Sequence, residues 1–573
     1  MTTVSSPAGT AAVVGWVDSI HDRVAGARAL LDAFDRPGAE PPLPAGDFAA
    51  VLVYRDRVLL MRDAQARIPL FFRESGGRAS AVSTSARSLG RAAELERRYF
   101  CRYLTGNMAQ QHAELSPFAG VHRVLGGEVV ELSVTGRLRG RRAGCPAAPP
   151  PVLRPGGAGQ DLRRALEQAV GRRLGRTTAC HVSGGTDSTS VALLAARLLA
   201  QGEDPDADLV LLAGRFAGGE LAGERPYLTE AVDAVRRLAP AARPVIVEAD
   251  DVADFDDFEH HAGDSDEPHA HAFRAPFWTR LHAVAAKLGC DTLLTGCGAD
   301  PVVDSNPFHL HRLARSGQLR ELRRQARAHA ATGERGVREV VRRYVTQPAL
   351  PLAAERISRL THQGTVLGGL GTFTRPPWLR PGFARAHGYR AASVAESQFV
   401  FGRRPEQSLY VAANYLAAPD PLSWRYAQRH GFFLSHPFLD PEVISTMRRV
   451  SAQAGFGSGR PKTVLREAMT DLLPPPIHDR VTKIPFNDLY VRGLRTHGDE
   501  LIDLCRSARH PLVAEMFDVD TLCRAVREAQ WGMGDSYAWD RVNSSLALVV
   551  WLERLGEGRS AEPGAVVPVT ACS

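Results

Sequence analysis

The chain has 573 residues, enough for two or more domains that each bury a core. Its 44% hydrophobic and 23% charged residues suit a globular protein, and no apolar run approaches membrane-spanning length. A net charge of +7 allows a polyanionic partner without requiring one. The cysteines are scattered, with no C-x-x-C pair. That excludes a disulfide framework or a zinc ribbon and leads us to expect a reducing, cytoplasmic setting.

Residues 1–145 read as β-rich. An apolar stretch at 11–17 comes first. Residues 48–62 read as a hairpin of two strands around Arg55-Asp56. Short strands are expected at 68–73, 79–84 and 128–132, with turns at Gly126-Gly127 and Thr135-Gly136. Residues 146–159 are rich in Pro and Gly and read as a linker. From 160 to 555 the pattern changes. A helix over 162–174 precedes a strand at 177–182, then a helical run from Val191. Strands at 209–213, 244–247 and 291–295 alternate with helices at 226–238 and 276–288. This alternation predicts a doubly wound parallel sheet. The remainder reads as mostly helical. The Arg-rich face of 312–327 lacks interleaved aromatics, so it reads as solvated and not as a nucleic-acid surface. Residues 556–573 are small and polar and are expected to be a disordered tail.

The segment most suggestive of chemistry is Val182-Ser183-Gly184-Gly185-Thr186-Asp187-Ser188. Strand, Gly-Gly turn and helix would set free N–H groups and a positive helix dipole against an anion. Glycine permits close backbone approach. Ser183 and Ser188 add hydroxyls, and Asp187 can hold Mg²⁺. No Lys follows the glycines, which rules out the G-x-x-x-x-G-K-[ST] loop. The form S-G-G-x-D-S resembles the loop of ATP pyrophosphatases, enzymes that release AMP and pyrophosphate.

Further pieces follow in order: Thr295-Gly296-Cys297-Gly298-Ala299-Asp300; His436-Pro437-Phe438-Leu439-Asp440; Lys462 to Arg466; and Arg480-Val481-Thr482-Lys483. Together with the loop they resemble the synthetase domain of the asparagine synthetase superfamily. The N-terminal region is similar in order to that superfamily's glutaminase domain. It carries Arg62-Asp63, Pro69-Leu70-Phe71-Phe72, and Gly120 to Val124 with Gly126-Gly127. The resemblance therefore implies an N-terminal Ntn-type α+β sandwich followed by an α/β ATP pyrophosphatase domain.

The glutaminase needs a Cys after the initiator Met. This sequence has Met1-Thr2-Thr3, and its first cysteine is Cys101. Thr2 is the alternative N-terminal nucleophile. Because the first expected strand begins downstream, we favour a retained scaffold without ammonia production.

The resemblance assigns roles residue by residue. Asp187 and Asp300 would carry Mg²⁺. The Ser183–Ser188 loop would hold pyrophosphate, Val182 and Gly296 would line the adenosine pocket, and Lys462 and Arg466 would bind phosphate. Lys483 would be the catalytic lysine, stabilising charge in adenylation and amide formation.

The departures from the family pattern bear on the substrate. Asparagine synthetases have Glu where Pro301 stands, with Asp304 a partial replacement, and an acidic residue where Cys297 stands. Asparagine and β-lactam synthetases have Glu near Phe432-Phe433-Leu434. Asp266-Glu267-Pro268 resembles lasso peptide cyclases. The expected function is thus ATP-dependent macrolactam formation. An Asp or Glu side chain of a ribosomal core peptide would be adenylated, and the core's own N-terminal amine would close the isopeptide. A leader peptidase and a leader-recognition protein are the implied partners. The alternatives are a small-molecule amide or β-lactam synthetase and a non-catalytic scaffold of a peptide-modifying complex.

Overall fold

A computed structural model describes residues 1–36, 38, 41–105, 114–143, 157–202, 206–303, 309–332, 336–346, 375–393, 421–450, 461–480, 484, 487–534, 536–557 and 566–568. Among the described residues the strands form three sheets. The first is antiparallel, in the order β1 (Thr2–Ser6), β2 (Gly9–Val17), β3 (Gly46–Tyr54), β4 (Arg57–Arg62), β8 (Glu128–Ser133) and β9 (Leu138–Ala143). The second holds β5 (Phe71–Ser75), β6 (Arg78–Ser83), β7 (Val121–Arg123) and β15 (Val566–Pro568), in the order β15-β6-β5-β7.

Strand periodicity explains how these sheets stack. Ala50 and Leu52 of β3, with Leu59 and Met61 of β4, pack against the helix Arg23–Ala33. Their alternates Ala49, Val58 and Leu60 face Phe72 and Val82 of the second sheet. Phe71, next to Phe72, points to the far side. There it joins the helix Arg97–Tyr103 and the C-terminal helices Asn487–Ser507 and Ser536–Gly556 in one apolar core. The outer helical layer of the N-terminal sandwich is therefore partly supplied by the other end of the chain.

Two expectations are corrected here. The first strand does not begin downstream: Thr2 lies in edge strand β1, opposite Val13. Within the C-terminal segment expected to be disordered, Val566–Pro568 form β15, which pairs antiparallel with β6; residues 558–565 and 569–573 lie outside the described residues.

The third sheet is parallel throughout. It comprises β10 (Thr177–His181), β11 (Asp208–Arg215), β12 (Arg243–Glu248), β13 (Thr292–Leu294) and β14 (Phe433–Ser435), in the order β12-β11-β10-β13-β14. Cys180, Leu211 and Leu294 face the helices Ala158–Gly171, Thr186–Gln201 and Arg225–Leu238. Ala179, Leu212 and Leu293 face the helix Ala275–Lys287. Helices cover both faces, so the sheet is doubly wound as expected. β14 was not anticipated; it extends the sheet beside β13. From β10 the chain runs outward to β12, then returns to β10's other side with β13. The strand order thus reverses between β10 and β13, where such folds open a crevice at the strands' carboxyl ends.

Candidate ATP site at the switch point

Both sequence-singled loops leave the sheet at this crevice. The first follows β10. Val182 extends the strand, its N–H bonding Leu212 O at 2.9 Å. Gly184 has φ +72°, and a Cβ there would lie 2.5 Å from the Tyr227 carbonyl carbon, so glycine is required twice over. Gly185 caps the helix Thr186–Gln201 without a side-chain hydrogen bond. No side-chain cap covers the first turn, the end of a helix that suits an anion. Ser183 and Ser188 hydroxyls sit 3.0 Å apart, and Ser188 Oγ accepts from Ser183 N at 3.2 Å.

The second loop follows β13. A Cβ on Gly296 would lie 2.6 Å from Ser188 N and 3.0 Å from Asp187 Cβ. The missing side chain is what lets the two loops touch. Gly298 has φ +87° and abuts Leu439, which seats the loop on the His436–Asp440 element. Thr295 Oγ1 lies 2.6 Å from His436 Nδ1 and accepts from Cys297 N at 3.1 Å. Burial, with Arg67, His181 and Arg173 nearby, holds His436 well below the usual imidazole range, so it is neutral.

Lys462 joins the two loops. Its Nζ lies 2.6 Å from Asp187 Oδ2 and 2.5 Å from Asp300 Oδ1. Its backbone is left-handed, φ +59°, an uncommon conformation for a side chain of this length. Burial opposes its charge, but Asp187 and Asp300 outweigh that and hold its ammonium above the usual lysine range. Two carboxylates converging on one cationic point suit Mg²⁺ as a donor set. Among the described residues no group of three or more His, Cys, Asp or Glu has metal-site geometry. A cation here would have to complete its coordination with ligand oxygens and water, as Mg²⁺ commonly does.

Arg466 sits apart from this point. Its guanidinium bonds backbone carbonyls of Pro461, His478 and Arg480, the Pro461 and Arg480 bonds at 2.9 and 2.6 Å. It thus secures the turn that carries Arg480. Lys483 lies outside the described residues, but its flanks do not. Glu224 receives both guanidinium nitrogens of Arg480 and the N–H of Ile484 at 3.1 Å. Arg480 also lies over the Tyr227 ring at 3.8 Å. One carboxylate therefore clips both ends of the segment that contains Lys483. Neither Glu224 nor Tyr227 was legible as a site residue. They lie more than 250 positions from Arg480 in sequence, at the start of an ordinary amphipathic helix.

The residue types taken for substrate selection fall as follows. Phe433 and Leu434 form β14, and Phe432 and Leu434 pack in the core beneath it. Cys297 is exposed between the two glycines. Asp266 bonds Ser85 and pairs with Arg425, and Glu267 pairs with Arg123. These acidic residues thus fasten the N-terminal sandwich to the rest of the chain. Asp304 lies outside the described residues.

No helix of the structure, among the described residues, is long and apolar enough to cross a membrane. Compared with curated proteins, the chain has no match. A family model, asparagine synthase, matches residues 161–553, which span the parallel sheet, both loops, Lys462 and the C-terminal helices. The chain belongs to the asparagine synthase family, whose chemistry is ATP-dependent amide-bond formation.

Proposed function

We propose that this enzyme is a macrolactam synthetase of the lasso peptide cyclase type. A carboxylate is a poor electrophile because its leaving group would be oxide. Attack of an Asp or Glu side-chain oxygen on the ATP α-phosphorus forms an acyl-adenylate and releases pyrophosphate. The core peptide's N-terminal amine then attacks the acyl carbon, AMP departs, and the amine loses a proton. The Ser183–Ser188 loop holds the phosphates with backbone N–H groups and two hydroxyls. Asp187 and Asp300 would hold Mg²⁺, which when bound neutralises triphosphate charge. Lys462, whose ammonium bridges the two carboxylates in the structure, would give way to the metal there and turn its charge to the phosphates. Lys483, clipped on both sides by Glu224, would stabilise charge on the reacting acyl phosphate.

The observation that carries this reading is the contrast between an intact ATP cradle and a sandwich whose one cysteine among the described residues, Cys101, is unusable. Cys101 is buried, and burial pushes its thiol up to about 12. A domain without a usable thiol would supply no ammonia from glutamine, which fits an amine carried by the substrate itself. The apolar Phe432-Phe433-Leu434 stands where asparagine and β-lactam synthetases place Glu, and its lack of a carboxylate speaks against those two activities. A leader peptidase that frees the amine and a leader-recognition protein complete the proposed system.

The test is co-expression with any precursor peptide and leader peptidase encoded beside this chain, read by mass spectrometry. A core peptide lighter by one water, resistant to aminopeptidase and absent with Lys483→Ala, is expected. A cleaved but linear core would instead favour a small-molecule amide synthetase.

A further inference from the structure

The N-terminal sandwich is gripped to the ATP site. β14 is the contact. Ser435, its last residue, donates its hydroxyl to Asp47 of β3, and its carbonyl accepts from Thr295 N at 3.2 Å. Arg173 lies over the Trp16 ring of β2 at 4.9 Å. It bonds Ser435 Oγ at 3.1 Å and Asp440 Oδ2 at 2.6 Å, with Asp47 at 3.9 Å. All of these groups are buried: Ser435 and Asp440 at 0% exposure, Arg173 at 1% and Asp47 at 7%. Asp440 in turn caps the helix Pro441–Arg449, accepting from Glu442 N at 3.0 Å.

From Ser435 the connection runs directly into the site. His436 bonds Thr295 Oγ1, which takes the N–H of Cys297, and Gly296 between them presses on Ser188 N and Asp187. A few hydrogen bonds therefore separate the interior of the sandwich from the phosphate loop. Low dielectric makes each bond in such a buried network directional and costly to leave unmade.

We infer that the N-terminal sandwich is a positioning part of the ATP site, with Asp47 and Trp16 setting Ser435 and Arg173 so that the Gly296 loop stands against the Ser183–Ser188 loop. This rests on the ATP reading above. Asp47 and Ser435 are positioning residues that touch no substrate themselves. A purely structural role would give a different result: loss of the contact would lower melting temperature and leave nucleotide affinity alone.

The experiment is calorimetric titration of the full chain with Mg-ATP, beside thermal melts. Asp47→Ala is expected to raise the Mg-ATP Kd about tenfold, the scale of one buried hydrogen bond. Asp47→Asn keeps an acceptor for the Ser435 hydroxyl and should restore Kd to within about threefold of wild type. Ser435→Ala should match Asp47→Ala, and the double variant should be no weaker than either single, since one contact is removed from two sides. Tyr54→Phe, which loses a 2.6 Å bond to Leu31 O elsewhere in the sandwich, should lower the melting temperature without moving Kd. If Asp47→Ala does not fold, Ser435→Ala and Asp47→Asn carry the comparison. Wild-type binding with Kd unchanged in the variants would overturn this inference alone. No binding by the wild-type chain would overturn the ATP reading and this inference with it.

Discussion

The crevice of the parallel sheet and the interior of the N-terminal sandwich use the same polar residue types to opposite ends. In the crevice, Asp187, Asp300 and Lys462 reach one point from three separate segments, and Asp300 remains 76% exposed. In the sandwich, Arg62 is buried and spends its guanidinium on the carbonyls of Ile68, Val124 and Ala66, at 2.7, 2.6 and 2.5 Å. Burial lowers it to about 9. Asp63 accepts from Phe48 N and Gln65 N at 3.2 and 2.8 Å, and burial with Asp47 pushes it up to about 7. Even the strained φ of +54° at Ala66 is pinned by Arg62. The difference is one of position. Loops at strand ends leave donors facing a crevice, whereas the same donors inside a sandwich are consumed by backbone and become scaffold.

That comparison can be broken at either end. The largest effect is expected at the crevice. Asp187→Ala should cut pyrophosphate release about a thousandfold or more, with the melting temperature little changed. A mild rate loss would mean that the carboxylates do not serve the reaction. Next comes the seam between the regions. Arg173→Met removes the nearer of two cations from the fully buried Asp440, leaving Arg172 at 3.6 Å and the Glu442 N–H, and should cost about 1.5–3 kcal/mol in chemical denaturation. A loss under about 1 kcal/mol, the scale of an exposed pair, would show the seam to be wet.

A smaller effect is pH-dependent. His181, at the end of β10, stacks on His282 at 5.8 Å and on Trp278 at 5.5 Å. Burial, then His282, lowers it to about 3. The unfolded chain takes up a proton near its ordinary pKa while the folded chain does not. Stability is therefore whole above about pH 6.5 and lost as pH falls toward 3. His181→Phe should abolish up to about 2 kcal/mol of the loss between pH 7.5 and 5.0 in urea titrations. An identical pH slope in the variant would remove His181 from that account. The smallest effect is expected at the sandwich edge. Thr2→Ala should leave amide formation within about twofold of wild type, since adenylation and attack by the substrate's own amine use no group of strand β1. A large loss would restore an N-terminal nucleophile.

The doubly wound sheet and both loops were legible because each rests on local patterning. Short apolar runs separated by amphipathic helical stretches mark β10 to β13, and Gly-Gly followed by an apolar helical run marks the first loop. β14 was not, because Phe433–Ser435 is too short to carry a period. Nor was β15, whose partner strand is nearly the whole chain away. Asp187, Asp300 and Lys462 were expected at the site and do meet there, but their mutual distances come from three loops folding together. Arg466 shows the converse: a basic residue in the expected motif turns to backbone carbonyls, which sequence spacing alone does not reveal. Glu224, Thr295 and Asp47 matter through partners far along the chain, and a single sequence records no such pairing.

The most direct test of the account is nucleotide analysis of the purified chain with Mg-ATP and a leader-free core peptide. One AMP and one pyrophosphate per ring closed, with neither formed when the peptide is left out, is the predicted result. ADP and phosphate as products, or ring closure without nucleotide consumption, would contradict the assignment of the two loops and Lys462 as an adenylating site.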